Sequence, residues 1–503
     1  MPSVAQAVLR SWAIPPAATF AIVLTALVYL RGWWLLRRAG SPDVPPWRGV
    51  SFLSGLFTLW VALASPMDVF NSFILTAHML QHMLLMMVAP PLILLGAPLV
   101  PMVRGLPVFA AREFAGPFLN WSVAGRVGSA LTHPVIALLL MGVAMFAWHT
   151  PALYELALRS AAWHQTEHAC FFLTSIIFWW PVVQPWPSRA QWPRWAMVPY
   201  LLIADLQNTA LSAILTFSDR VLYPSYSGVP RLFGLSAMED QIAAGAMMWV
   251  VGSLAFVVPA VVIAVQCLSK KSAKAVVGRP RDKSGDEALL SVSQATTFVS
   301  AFLRPRLTAR TLEPLWFIVL FAASGLCLAH LLAASTDDDD QALRFSDTTG
   351  PFAVAVFGPP GDLASGPSAF STLVQDRSTH AVLLDATVQF SAHPAAGLSA
   401  PLATARASHQ ESENKLLQSA DLNLPAAGDW VLSVAVRSGS QTGELLLPLH
   451  IEKEEAATPF PWPYAVLLTL AATLLLTYLR RHHRPKEYRA HECRPAASHN
   501  GRS

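Results

Sequence analysis

Long apolar runs separated by short polar connections dominate the hydrophobic pattern of the first 270 residues. An α-helix needs roughly 17–25 apolar residues to cross the ~30 Å hydrocarbon core of a bilayer, and these runs are long enough. Two further runs follow towards the C-terminus. We therefore predict nine membrane spans, at residues 13–37, 50–65, 73–98, 133–149, 164–183, 195–217, 238–267, 314–334 and 460–479.

Residues 335–459, between the last two predicted spans, have a different pattern. Their polarity is ordinary, and apolar and polar residues alternate in short stretches such as VLLDATVQF (382–390), WVLSVAV (430–436) and ELLLPLHIE (444–452). A period of two bounded by Gly, Pro, Ser and Asp predicts β-strands. The predicted fold class is an all-α polytopic membrane protein, with a seven-helix core and two further spans, that carries a small β-sandwich.

Composition agrees with a membrane protein. Hydrophobic residues make up 53% of the 503 residues and charged residues only 13%, which is too few for the surface of a soluble chain of this length. No nucleotide-binding motif, nucleophile constellation or nucleic-acid-binding pattern is evident. The cysteines form no CxxC pair, which argues against a thiolate metal site or a disulfide framework. They are Cys170, Cys267, Cys327 and Cys493.

The distribution of Lys and Arg predicts the orientation of the chain. If the N-terminus lies outside, the segments on the inner side hold 25 of the 35 Lys and Arg, as the positive-inside rule requires. The first run ends in RGWWLLRR without a small-residue cleavage site, so we expect a retained helix and not a signal peptide. The expected domains are a seven-span core (1–267), a cytoplasmic linker (268–313), an eighth span (314–334), an extracytoplasmic β-sandwich (335–459), a ninth span (460–479) and a cytoplasmic tail (480–503).

Five histidines lie at the predicted outer ends of three spans. Span three begins with His78 and His82, span four ends with His149, and span five begins with His164 and His168. Residues four apart project from one face of a helix, so each pair of imidazoles could hold one metal ion. A single interfacial histidine is usually only hydrogen-bonded, but ionisable groups inside spans are costly and tend to mark function.

Thioether and carboxylate side chains extend this candidate metal site. Imidazole with nearby thioether suits copper, and thioether suits copper(I) in particular, although methionine in a helix is also a common packing residue. Met79, Met83, Met86 and Met87 form a stripe of thioethers in the span that begins with His78 and His82. Glu155, Glu167 and Asp205 are further carboxylates near or within the spans. The candidate ligands are His78, His82, His149, His164, His168, Met79, Met83, Glu239 and Asp240.

Five segments follow one another along the first seven predicted spans: HMLQHMLLMMVAPPLILLGAP, HTPALYELAL, WHQTEHACFFLTSIIFWWPVV, LYPSY and MEDQIAAGAMMWVVG. Together they resemble the multi-spanning, CtaG-like family of cytochrome c oxidase assembly factors over about residues 15–267. The resemblance implies a seven-helix core that acts in the maturation of a haem–copper oxidase, with copper delivery as its expected task. The site residues that it implies are His78, His82, His149, His164, His168, Glu239, Asp240 and Gln241.

The segments LVQDRSTHAVLLDATVQF and GDWVLSVAV resemble FixH-like or YtkA-like sandwiches, which are associated with copper and oxidase maturation. We therefore expect a non-enzymatic assembly factor of the bacterial inner membrane that binds copper transiently at its outer face. Its expected partners are haem–copper oxidase subunits of the respiratory chain, a periplasmic copper carrier and the lipid bilayer, and not nucleic acid.

Three alternatives stay open. A haem-binding redox protein would take its axial ligands from two facing helices, which paired histidines on one helix fit less well. A copper transporter would need polar groups that continue to the inner face, where these spans are mostly Leu, Ile, Val and Ala. A membrane metalloprotease is suggested by HQTEH, which matches the H-x-x-E-H pattern, although so short a pattern arises easily by chance.

Overall fold

The computed structural model describes residues 3–108, 111–112, 122–276, 342–359, 363–395, 403–424 and 426–452. Helices form the first part of this chain and strands the second. The helices are α1 (Val4–Arg10), α2 (Pro16–Arg38), α3 (Pro46–Ala64), α4 (Pro66–Phe70), α5 (Leu75–Met83), α6 (Ala89–Leu95), α7 (Leu99–Gly105), α8 (Ser122–Leu131), α9 (Pro134–Trp148), α10 (Pro151–Arg159), α11 (Ala161–Val183), α12 (Met197–Phe217), α13 (Ser225–Gly228) and α14 (Ala237–Val276).

The helical part spans a membrane several times. Among the described residues, six helices are long and apolar enough to cross, or seven if α9 and α10, bent by 71° at their junction, form one span. These seven correspond to the predicted seven-helix core, and the predicted fold class is confirmed. The predicted spans at 314–334 and 460–479 lie outside the described residues.

The third span changes its helical pitch below the histidines. The segment Leu84–Val88 between α5 and α6 is π-helical. Pro90 has no N–H with which to bond the carbonyl of Met86 four residues earlier. Trp179 of α11 donates its indole N–H to that carbonyl at 3.0 Å, and so ties the third span to the fifth.

The β domain is a sandwich of two sheets. Its strands are β1 (Ala342–Thr349), β2 (Phe352–Gly358), β3 (Leu363–Ala364), β4 (Gly366–Asp376), β5 (Thr387–Pro394), β6 (Ala403–Arg406), β7 (Gln418–Leu424), β8 (Gly428–Ser438) and β9 (Gln441–Glu452). The sheet orders are β1-β2-β4-β7 and β3-β9-β8-β5-β6. In β9, Leu445, Leu447, Leu449 and Ile451 are buried at alternate positions, as a half-exposed strand requires. VLLDATVQF becomes a strand only at Thr387, because Leu383–Ala386 form a turn.

The β domain packs on the end of the helical part at which α5 and α14 begin. Phe73, just before α5, lies against Phe357 of β2 with ring centroids 5.1 Å apart. Gln375 of β4 donates to the carbonyl of Arg231 at 2.8 Å, in the loop that leads into α14. A buried apolar cluster joins the two parts and includes Ala7, Phe70, Leu232, Ala355, Phe357, Leu373, Leu416 and Leu417.

Candidate metal centre

The first two turns of α5 carry His78 and His82 on one buried face. The two side chains are 0% and 2% exposed, and their Nε2 atoms lie 2.9 Å apart. Two nitrogen ligands that bind one ion at about 2.0–2.1 Å are themselves roughly 2.8–3.4 Å apart for bond angles near 90–110°. The separation therefore suits either a hydrogen bond or joint binding of one ion.

Helix α11 presents a second set of donors to the same region. His164, Glu167 and His168 are three and four residues apart, so all three project towards one side of the helix. Glu167 is fully buried. Its Oε2 lies 3.7 Å from Nε2 of His78, and its Oε1 lies 3.8 Å from Nε2 of His82.

The fifth histidine ends α9. The Nδ1 atom of His149 lies 2.7 Å from the carbonyl oxygen of Met145. Because a carbonyl only accepts, Nδ1 carries the proton and Nε2 presents its lone pair. The imidazole is 7% exposed, and its ring centroid lies 6.4 Å from that of His82.

The five imidazoles form two levels, which together with Glu167 we call the histidine cluster. At the upper level, nearer the β domain, the rings of His78 and His164 lie 5.2 Å apart. One turn deeper, the rings of His82 and His168 lie 5.4 Å apart, and His149 joins them. There are two groups of three metal-ligand atoms, and within each group the atoms lie within 4.8 Å of one another. One group is His78, His82 and His168, and the other is His78, His164 and Glu167.

The cluster contains several buried polar atoms without a hydrogen-bond partner among the described residues. They are Nδ1 of His82, Nε2 of His149, His164 and His168, and both carboxylate oxygens of Glu167. An unsatisfied buried donor or acceptor costs about 1–3 kcal/mol, and a charged one costs more. A cation held among these atoms would offset that cost, so the arrangement is chemically suited to bind a metal ion.

Tyrosines from α10 and from the LYPSY segment cover the upper level. The hydroxyl of Tyr226 donates to the carbonyl of Asn71 at 2.6 Å and lies 3.0 Å from the hydroxyl of Tyr154. It also lies 3.3 Å from Nδ1 of His78. Since its single proton goes to Asn71, it accepts from His78, which leaves Nε2 of that imidazole as the free lone pair. Glu155 fixes the segment by accepting from the backbone N–H of Ser225 at 3.0 Å.

The two predicted carboxylate ligands at the start of α14 lie outside the histidine cluster. Glu239 is exposed and forms a capping box with Ser236. Asp240 accepts from the backbone N–H groups of Leu75 and Thr76 at 2.6 and 3.1 Å, and from the Thr76 hydroxyl at 2.6 Å. It therefore caps α5, the helix that carries His78 and His82.

The neighbouring residue that the resemblance implied is also engaged elsewhere. Gln241 accepts from the N–H of Leu222 at 2.7 Å and donates to the carbonyls of Leu215 and Arg220, each at 3.2 Å. It thereby fixes the chain that links α12 to the LYPSY segment.

The two predicted thioether ligands lie in the hydrophobic core. Met79 and Met83 are 0% and 4% exposed and pack in the main apolar cluster with Met86 and Met87. Each follows a histidine by one residue, which is a rotation of about 100° around the helix. Their burial is therefore accounted for by packing, and thioether ligation stays a prediction.

Three residues of the site were not among the predicted ligands. Glu167 had a signal in the sequence, because it lies three residues after His164 and one before His168. Tyr154 and Tyr226 belong to two of the segments that carry the family resemblance, but their contacts with His78 depend on how the loops fold back.

Residues 27–270 match the model of a protein family described as cytochrome c oxidase caa3 assembly factor. Uncharacterized proteins of Mycobacterium bovis and Mycobacterium tuberculosis are each 26% identical over 274 residues, 53% of this chain and 40% of the relative. One of Mycobacterium leprae is 29% identical over 251 residues, 49% of this chain and 38% of the relative. The chain thus spans well under two thirds of the length of these curated relatives. No solved structure matches it.

Proposed function

We propose, from the match of residues 27–270 to the family of cytochrome c oxidase caa3 assembly factors, that this chain holds a copper ion in the histidine cluster and delivers it to a haem–copper oxidase. Copper is cargo in this proposal, and the chain makes and breaks only metal–ligand bonds. It would act as a non-enzymatic factor of the bacterial inner membrane, with its β domain outside.

The observation that carries the proposal is the convergence of five imidazoles and Glu167 from three spans in one region, where His164 is half-buried and the other side chains are buried. Such a concentration of buried nitrogen and oxygen atoms without hydrogen-bond partners is costly in a membrane helix bundle. The sequence keeps it anchored, through the Asp240 cap on α5 and the Met145 carbonyl on His149. Rigid helices and these supports would hold the lone pairs in place for an incoming ion.

Copper is assigned by combining ligand type with the family match. Imidazole suits copper, zinc, iron and nickel, and the affinity of a given nitrogen and oxygen site is highest for Cu²⁺ among the divalent first-row metals. Of these metals, a haem–copper oxidase contains both copper and iron, but its iron is held in haem, so copper is the one that it needs as a free ion. Zinc is the direct competitor, so copper and zinc contents have to be measured together.

The placement of the β domain supports a hand-over at the same end of the molecule. It packs against Phe73, just before the helix that carries His78, and against Arg231, in the loop that leads into α14. We infer that oxidase subunits and a periplasmic copper carrier dock at this end.

The test is oxidase maturation in cells that depend on this chain. His78→Ala with His82→Ala should abolish oxidase activity while the chain stays at normal level in the membrane. His133→Ala is the matched control. His133 packs on Trp192 at the start of α9, whereas His149 of the cluster lies at the other end of that helix. Normal oxidase activity in the double variant would refute the proposal.

A copper transporter is the second candidate function, and one feature of α12 favours it. Asp205, Asn208, Ser212 and Thr216 lie three or four residues apart, so they form a polar stripe along one face of this span. Within the described chain, Oδ1 of Asp205, Oγ of Ser212 and Oγ1 of Thr216 are buried without a hydrogen-bond partner. Copper uptake into sealed vesicles, lost in Asp205→Asn, would favour transport over delivery.

The other two alternatives gain no comparable support. A metalloprotease would need its glutamate to reach a water and a peptide, whereas Glu167 is 0% exposed. For a haem protein, a Soret band in the purified chain would be decisive.

A further inference from the structure

We propose that the histidine cluster contains two overlapping copper positions that share His78, and that a single ion moves between them by exchanging ligands. This inference rests on the proposed function, since it describes how the same cluster would release its ion. The two positions are the two groups of donor atoms that lie within 4.8 Å of one another.

The deep position consists of imidazoles only. His78, His82 and His168 supply three nitrogen donors, and the 2.9 Å between the Nε2 atoms of His78 and His82 suits joint binding of one ion. His149 lies beside His82, and its free Nε2 could complete the set. Four imidazoles would hold copper firmly.

The upper position keeps only His78 of these four imidazoles. His164 and Glu167 join His78 there, so the set has two nitrogens and one oxygen. The ring of His164 lies 5.2 Å from that of His78, and Oε2 of Glu167 lies 3.7 Å from its Nε2.

His78 can serve both positions because its other nitrogen is occupied. Its Nδ1 lies 3.3 Å from the Tyr226 hydroxyl, which donates its own proton to Asn71. The Nε2 lone pair therefore faces both Nε2 of His82 and Oε2 of Glu167. Tyr226 holds the ring in that orientation.

The transfer step is a ligand exchange without electron transfer. The bonds from copper to His82, His149 and His168 break, bonds to His164 and Glu167 form, and the bond to His78 persists. The oxidation state of copper does not change. The histidines of each pair are separated by one helical turn, about 6 Å along the axis, so the ion moves by at most that distance towards the end on which the β domain packs.

The experiment uses the purified full chain in detergent, loaded with copper(II). Three quantities are measured: copper per chain, the number of bound nitrogens by pulsed electron paramagnetic resonance, and the rate of transfer to a soluble chelator. The wild-type chain should bind one copper ion.

The variants should separate the two positions. Glu167→Gln and His164→Ala should keep that ion with an all-nitrogen signal. The rate of release should fall by about tenfold or more, which is the size of effect that loss of a supporting or ligating group typically has. His82→Ala with His168→Ala should keep an ion with fewer nitrogens and release it faster. His78→Ala should lose the ion, and His133→Ala should behave as wild type.

Two results would overturn this inference while leaving the proposed function intact. One is two copper ions per wild-type chain, and the other is an equal loss of copper in Glu167→Gln and His168→Ala, which would indicate one composite site. A wild-type chain that binds no copper would overturn the proposed function and this inference together.

Discussion

Variants of Asp240 can distinguish an anchoring role of this residue from a metal-binding role, because its carboxylate accepts three hydrogen bonds from the start of α5. Asp240→Ala would leave the N–H groups of Leu75 and Thr76 without their acceptor at a site where Leu75 is 1% exposed. Each buried donor left unpaired costs about 1–3 kcal/mol. The substitution also removes the buried charge of Asp240 and with it the desolvation penalty of that charge, which offsets part of the loss. We expect a loss of about 2–4 kcal/mol, which for a helical part of this size lowers Tm by roughly 5–15 °C.

The assay is thermal unfolding in detergent, combined with copper content at saturation. Asp240→Asn keeps one oxygen acceptor, so we expect a smaller loss of Tm and a full complement of copper. Glu239→Gln is the matched control, since Glu239 is exposed and caps only its own helix. Copper loss in Asp240→Asn at an unchanged Tm would refute the anchoring role and make Asp240 a ligand.

Three further predictions concern packing, acid stability and topology. Met83→Leu nearly keeps the volume, so copper binding should be unchanged if Met83 only packs; a large loss of copper would indicate thioether ligation. The pKa of Asp376 is lowered from 3.8 to about 2, because the side chain of Ser378 and the backbone and hydroxyl of Thr379 donate hydrogen bonds to it. Since the folded pKa is the lower one, its contribution to stability is present above about pH 4 and is lost as the pH falls towards 2. Asp376→Asn should therefore flatten acid unfolding of the β domain in that window, as followed by circular dichroism, and an unaltered acid profile would contradict this. Single cysteines introduced at Ser346 and Ser284 in a cysteine-free chain should be labelled from opposite sides of the membrane, and labelling from one side would refute the predicted orientation.

The histidines could be predicted from the sequence because their placement follows from local rules. Spacings of four set His78 with His82 and His164 with His168 on common faces, and the order of spans brings the helix ends to one level. The same rule extended by one step would have added Glu167, three residues after His164. The structure brings all of these side chains together.

The roles of Asp240 and Tyr226 depend on contacts that no local pattern encodes. Asp240 meets Leu75 across 165 residues, and Tyr226 meets His78 across 148. From the sequence, a carboxylate near candidate ligands is easily taken for a further ligand. The structure shows that the carboxylate oxygens of Asp240 accept hydrogen bonds from backbone N–H groups. Likewise, Met79 and Met83 adjoin the histidines in sequence, but a helix turns them by about 100° towards the core.

X-ray absorption at the copper edge would observe directly whether His78 and His82 bind copper. The purified full chain should contain one copper ion with imidazole nitrogens at about 2.0 Å, the usual metal–imidazole distance. The His78→Ala, His82→Ala double variant should be present at normal level and lack that signal. An identical copper content and spectrum in the double variant, or a wild-type chain that binds no copper, would refute copper binding by these two histidines.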